Sequence, residues 1–96
     1  MRTNFHSMNR YMVIETFRPG CMPKVYERFR ERGRMLPDGL VYIDSWLSEQ
    51  GDRCFQLMEA ENEQCAEKNF EQWICKWDDL VEFEVVALGM KPTDAE

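Results

Sequence analysis

The sequence predicts an α+β domain with the element order βαββαβ. Three observations carry that expectation. Runs rich in β-branched and aromatic residues recur at four places, an apolar stripe at helical spacing lies late in the chain, and Pro and Gly breaks separate the segments.

Arg10–Phe17 (RYMVIETF) reads as the first strand, and Arg18–Cys21 (RPGC) breaks it. Pro23 suits the first turn of a helix, where its missing N–H costs nothing. Val25, Tyr26 and Phe29 give that helix an apolar stripe, and Gly33 lies near its end. Pro37-Asp38-Gly39 signals a turn into the second strand, Leu40–Ser48 (LVYIDSWLS). Gln50-Gly51-Asp52 then closes a hairpin into the third strand, Arg53–Glu59 (RCFQLME). Asn62 is the expected N-cap of a second helix, with Glu63 in its first turn, where the helix dipole favours negative charge. Ala66, Phe70, Trp73, Ile74 and Trp77 recur at helical spacing and mark its buried face. Asp78-Asp79 ends this helix, and Leu80–Leu88 (LVEFEVVAL) forms the last strand. The order is that of the ferredoxin-like arrangement, a four-stranded antiparallel sheet with two helices on one face. One such domain is expected over residues 10–89, with polar, aperiodic, disordered tails at 1–9 and 90–96.

Ninety-six residues leave room for one core, and 44% hydrophobic with 31% charged residues is an ordinary globular balance. Twelve Lys and Arg against eighteen Asp and Glu give a net charge of −6. That surplus argues against nucleic acid and against an anionic membrane surface as partners. No apolar run approaches the roughly 20 residues needed to span a bilayer, and the first residues do not resemble a secretory signal. A soluble, cytoplasmic chain is expected. Cys21, Cys54, Cys65 and Cys75 form no C-x-x-C and no Cys/His ligand pattern. Cys65 and Cys75 share the second predicted helix at about 15 Å, twice the roughly 7 Å reach of a disulfide, so free thiols are expected.

With both helices on one side, the other sheet face is open, and alternation assigns residues to each. Met12, Ile14, Val41, Ile43, Leu47, Phe55, Leu57, Val81, Phe83 and Val85 are expected to face the helices. Tyr11, Val13, Tyr42, Trp46, Met58 and Val86 would then lie on the open face beside Glu15, Asp44, Gln56, Glu82 and Glu84. Large aromatics on an open sheet mark an interaction surface, so a symmetric homodimer packed face to face is expected.

The stretches YMVIETF, ERFRERGRMLPDGLVYIDSW, RCFQLMEA and WDDLVEFEVV resemble a small bacterial family, domain of unknown function 3303, from about Tyr11 to Leu88. The run RGRMLPDGL into YIDSW is the most specific part. That family is similar to the dimeric α+β barrel superfamily, whose members pair their sheets into a barrel. The resemblance implies the fold and a barrel-forming dimer. It implies no catalytic residues.

Several chemistries find no support in the residues. The only histidine, His6, lies in the N-terminal tail, which argues against an axial haem ligand and against His-dependent nucleophilic catalysis. Neither Gly-rich nucleotide-loop pattern occurs, and no metal-ligand spacing occurs. The third strand does not match the aromatic pattern of RNA-recognition modules. No cofactor is expected. Glu15, Asp44, Glu82 and Glu84, if desolvated together, would have raised pKa values suited to acid–base work, whereas exposed they are ordinary strand-face charges. Lys24, Arg28, Arg30, Arg32 and Arg34 outnumber Glu27 and Glu31 on the first helix. Arg34 with Arg53 would suit an anion, or the run is a solvated face. Trp46 is either interface packing or the wall of a pocket.

The leading expectation is a homodimer that binds a small apolar or aromatic ligand in the barrel. Tyr42, Trp46 and Met58 would line the site, and Glu15, Gln56 and Glu84 would supply polar contacts. A cofactor-independent monooxygenase or isomerase with Glu15 or Glu84 as base is the alternative. A structural or protein-interaction module with no ligand is the third reading, and it anticipates no cavity.

Overall fold

A computed structural model describes residues 9–89. The element order is β1 (Asn9–Phe17), α1 (Met22–Arg32), β2 (Leu40–Leu47), β3 (Arg53–Ala60), α2 (Glu63–Ile74) and β4 (Val81–Ala87). The expected tail residues 1–8 and 90–96, His6 among them, lie outside the described residues. Asn9 opens β1. The strands form one antiparallel sheet in the order β2-β3-β1-β4, so the fold is α+β and ferredoxin-like as predicted. Among the described residues, no helix is long and apolar enough to cross a membrane.

Asn62 caps α2 as expected, its side-chain oxygen accepting the Gln64 N–H at 2.9 Å. Ala66, Phe70 and Trp73 are the buried residues of α2. The helix ends at Ile74, earlier than Asp78-Asp79. Short-range bonds from Lys76 N–H to Trp73 O and from Trp77 N–H to Ile74 O tighten the chain into turns there. Trp77 nonetheless stays in the core at 6% exposure. Helix α1 differs. It ends where the Gly33 N–H meets Phe29 O at 2.7 Å, and it contains no buried residue, with Tyr26 and Phe29 both exposed. Gly39 closes the turn before β2 at φ +98°, where a Cβ would sit 2.6 Å from Asn69 Nδ2.

The facing of two strands is the reverse of the expectation. Tyr11, Val13, Glu15 and Phe17 of β1 point towards the helices, and so do Cys54, Gln56, Met58 and Ala60 of β3. Val13, Met58 and Ala60 are fully enclosed in the cluster with Phe70 and Trp73, and Tyr11 meets Phe70 edge-on at 5.1 Å. Met12, Ile14, Phe55 and Leu57 therefore lie on the open face. Both strands are apolar on both sides, so alternation alone does not choose. The register then ties them together, because Tyr11 pairs with Met58 and Val13 with Gln56. In β2 a bulge between Tyr42 and Asp44 resets the phase, placing Tyr42, Ser45 and Leu47 on the helix side. Val41 and Ile43, expected inside, are exposed. Strand β4 follows the prediction, with Val81, Phe83 and Val85 inward and Glu82, Glu84 and Val86 outward.

Candidate functional site

Helix α2 packs tightly on its part of the sheet, whereas α1 buries none of its residues. Between α1 and the sheet the fold leaves a cavity of about 200 Å³. Its walls are apolar and aromatic: Val25, Tyr26 and Phe29 from α1, Trp73 and Trp77 beyond them, and Phe17, Val81 and Phe83 from the sheet. The floor is polar. Glu15, Cys54, Gln56 and Ser45 come from adjacent strand positions, since Glu15 pairs with Cys54 and Gln56 with Ser45. Arg34, just after α1, completes the site.

Arg34 is held on several sides. Its guanidinium lies 3.5 Å from the centre of the Tyr42 ring and 5.0 Å from that of Phe29. Its backbone carbonyl accepts both the Trp73 and Trp77 indole N–H groups, at 2.9 and 3.1 Å. The next residue, Met35, stands at φ 60° and accepts the Lys76 ammonium at 3.2 Å through its carbonyl. A non-glycine residue in that region is strained, and the turn that follows α2 holds it there through Lys76. The Tyr42 hydroxyl also shares a hydrogen bond of 2.7 Å with Ser45 Oγ.

Glu15 is partly buried, and among the described residues no donor hydrogen-bonds its carboxyl. Burial raises its pKa to about 7, while the nearby Arg34 charge opposes the rise. At neutral pH the carboxyl and carboxylate forms of the group are therefore both populated. Burial and the Glu15 charge push the Cys54 thiol up to about 11, against the lowering effects of Arg34 and a hydrogen bond with Ser45. Cys54 is thus a thiol at neutral pH, a poor nucleophile. Gln56 is 6% exposed, and its Nε2 reaches only the Met58 sulfur, at 3.4 Å. Among the described residues its amide oxygen has no donor.

The family described as Domain of unknown function (DUF3303) matches residues 9–90. The chain belongs to that family. Neither a curated protein nor a solved structure matches the chain.

In this DUF3303 chain the six expected ligand residues separate. Glu15 and Gln56 meet in the cavity, on the helix side of the sheet rather than the open one. Tyr42 lies beneath Arg34, and Met58 is core beside Gln56. Trp46, 51% exposed, and Glu84 remain on the open face, away from the cavity. The four carboxylates do not gather on one face: Glu15 is inside, and Glu82 pairs with Arg18 at 3.2 Å outside. Arg34 and Arg53 also stand on opposite faces, because Arg53 lies on the open face over Phe55 at 5.3 Å. Among the described residues, no group of three His, Cys, Asp or Glu side chains stands together as a metal site.

The aromatic walls were visible in the sequence only as core and helix residues. The polar floor carried a signal, because Glu15, Ser45, Cys54 and Gln56 interrupt otherwise apolar strands.

Proposed function

We propose that this protein binds one small, planar, largely apolar molecule in the cavity beneath α1, with the ligand's polar edge on Glu15 and Gln56. The observation that carries this is the Gln56 amide, nine-tenths buried at the bottom of an aromatic-walled space, its oxygen without a donor among the described residues. A buried amide oxygen without a donor is costly, and a ligand hydroxyl or N–H supplies one. The cavity, at about 200 Å³, exceeds the roughly 150 Å³ that holds a benzene ring. A lined cavity within the protomer weighs against a module that only associates.

The test is a titration with 4-fluorophenol followed by fluorine NMR. Saturable binding that weakens at least tenfold in Gln56→Leu supports the reading. Absence of binding by this phenol and by a panel of one- and two-ring aromatics overturns it.

The open face is proposed to cover itself with a second copy of the chain. Met12, Ile14, Phe55, Leu57 and Trp46 form its apolar centre. Arg53 on one strand, with Glu82 and Glu84 on the edge strand, gives it charges of both signs. Strands of seven to nine residues, at about 3.3 Å per residue and about 4.8 Å apart, make a face of about 500 Å². Two copies together bury about 1,000 Å², the lower bound for a specific interface. The oligomeric state in solution, read by light scattering, decides it: a dimer supports the proposal and a monomer at micromolar concentration overturns it.

A further inference from the structure

We propose that Glu15 is a catalytic proton acceptor and donor, and that the cavity beneath α1 isomerises an enolisable carbonyl compound of one or two rings. The inference rests on the cavity being a ligand site and adds the reaction. Three features of its placement support it. Glu15 enters an apolar space with no donor on its carboxyl among the described residues, so both oxygens are open to a bound molecule. Arg34 is fixed on the same cavity by Tyr42, by the two indoles that hold its carbonyl, and by the backbone turn at Met35. Gln56 sits on the neighbouring strand with an amide that, among the described residues, bonds only to a sulfur, which leaves it available to orient a substrate oxygen.

The step balances without an oxidant or co-reactant. The ionised Glu15 takes a proton from the carbon next to the substrate carbonyl. The C–H electron pair becomes the new C=C bond, and the carbonyl π pair moves onto oxygen. The enolate charge is opposed by Arg34, which already acts electrostatically on the Glu15 carboxylate. Protonated Glu15 then returns the proton to oxygen, or to a different carbon of a conjugated enolate, which restores its carboxylate. The product is a tautomer of the substrate. Cys54, a thiol at neutral pH, takes no part. The titratable and charged groups facing Glu15 are Arg34 from the α1–β2 connection, Cys54 from β3 and Tyr26 from α1. Of these, Arg34 acts on it electrostatically, and Glu15 in turn raises the Cys54 thiol.

The test uses 2-indanone, a neutral planar ketone with acidic C–H bonds, and the intact chain in D2O. Proton NMR follows replacement of its C–H protons by deuterium, and calorimetry follows its binding. The wild-type chain is expected to accelerate exchange above the buffer rate with saturation, the rate rising with pH through about 7 as Glu15 ionises. Glu15→Gln, which keeps a polar side chain at the position, is expected to lose about 10²-fold or more of the exchange rate, a larger loss than any fall in 2-indanone affinity read by calorimetry. Glu15→Asp, which keeps the carboxyl, is expected to retain part of that rate. Binding without accelerated exchange overturns the reaction and leaves ligand binding standing. Exchange that survives in Glu15→Gln removes Glu15 as the base. Absence of binding by both 2-indanone and 4-fluorophenol overturns both readings.

Discussion

Burying a carboxyl without a hydrogen-bond donor costs far more free energy when the group is ionised than when it is neutral. Glu15 has a pKa of about 7 in the folded chain against 4.5 when unperturbed, so the folded state holds its proton more tightly than the unfolded state. Below pH 4.5 both states carry the proton and the ionisation cost is absent. Between pH 4.5 and 7 stability falls as pH rises, and above 7 the full shift corresponds to about 3 kcal/mol, lessened by the partial exposure of the carboxyl. Glu15→Gln should therefore flatten that slope and raise stability at pH 8 by about 2 kcal/mol, read from urea denaturation at pH 5 and pH 8. An unchanged slope would show that the carboxyl is solvated. Glu15 and Gln56 stand out in the sequence as polar residues in apolar strands, although alternation assigned them to the open face rather than to the cavity beneath α1. Their partners do not stand out. Arg34 is one cation in a basic run, and only its fixed carbonyl and the Tyr42 ring beneath it distinguish it from Arg30 or Arg32.

At the scale of elements, α2 and α1 are held by different forces. Helix α2 is packed through Ala66, Phe70 and Trp73. Helix α1 packs more loosely, through Val25 on the core and Tyr26 near Phe17, and is also clamped by charge: Arg28 makes a two-pronged bond to Asp79 at 2.8 and 2.9 Å and donates to Lys76 O at 2.8 Å. Arg18, before α1, grips Asp78 O in the same turn at 2.8 and 3.0 Å. Arg28→Ala should therefore raise amide exchange across α1 severalfold while leaving α2 protected. Equal effects on both helices would mean that α1 is packed rather than clamped. The order of the elements was legible because each boundary carries a mechanism: Pro23 in the first turn of α1, the Pro37-Asp38-Gly39 turn, and the Asn62 cap. The facing of β1 and β3 was not, since Met12 and Ile14 are as apolar as Tyr11 and Val13. A register that pairs the two strands makes one misassignment into two. The bulge near Ile43 leaves no composition signal at all.

For the whole molecule, the reversal makes the open face more apolar than alternation suggested, since Ile14, Phe55 and Leu57 replace Glu15, Gln56 and Met58. This strengthens the case for self-association through that face without involving the cavity, which each protomer builds from its own helices and sheet. Trp46→Glu places a charge in the proposed interface and should shift the assembly to monomers in light scattering, with 4-fluorophenol affinity unchanged within a few-fold. Loss of binding along with assembly would mean that the partner contributes to the site.

The three tryptophans are divided between these two places, Trp73 and Trp77 in the cavity wall and Trp46 on the open face. Emission from the native chain therefore mixes two independent signals, one sensitive to what enters beneath α1 and one to what covers the sheet. Replacing Trp46 with Phe leaves light only from the cavity, so occupancy becomes readable in a sample whose state of assembly is still changing.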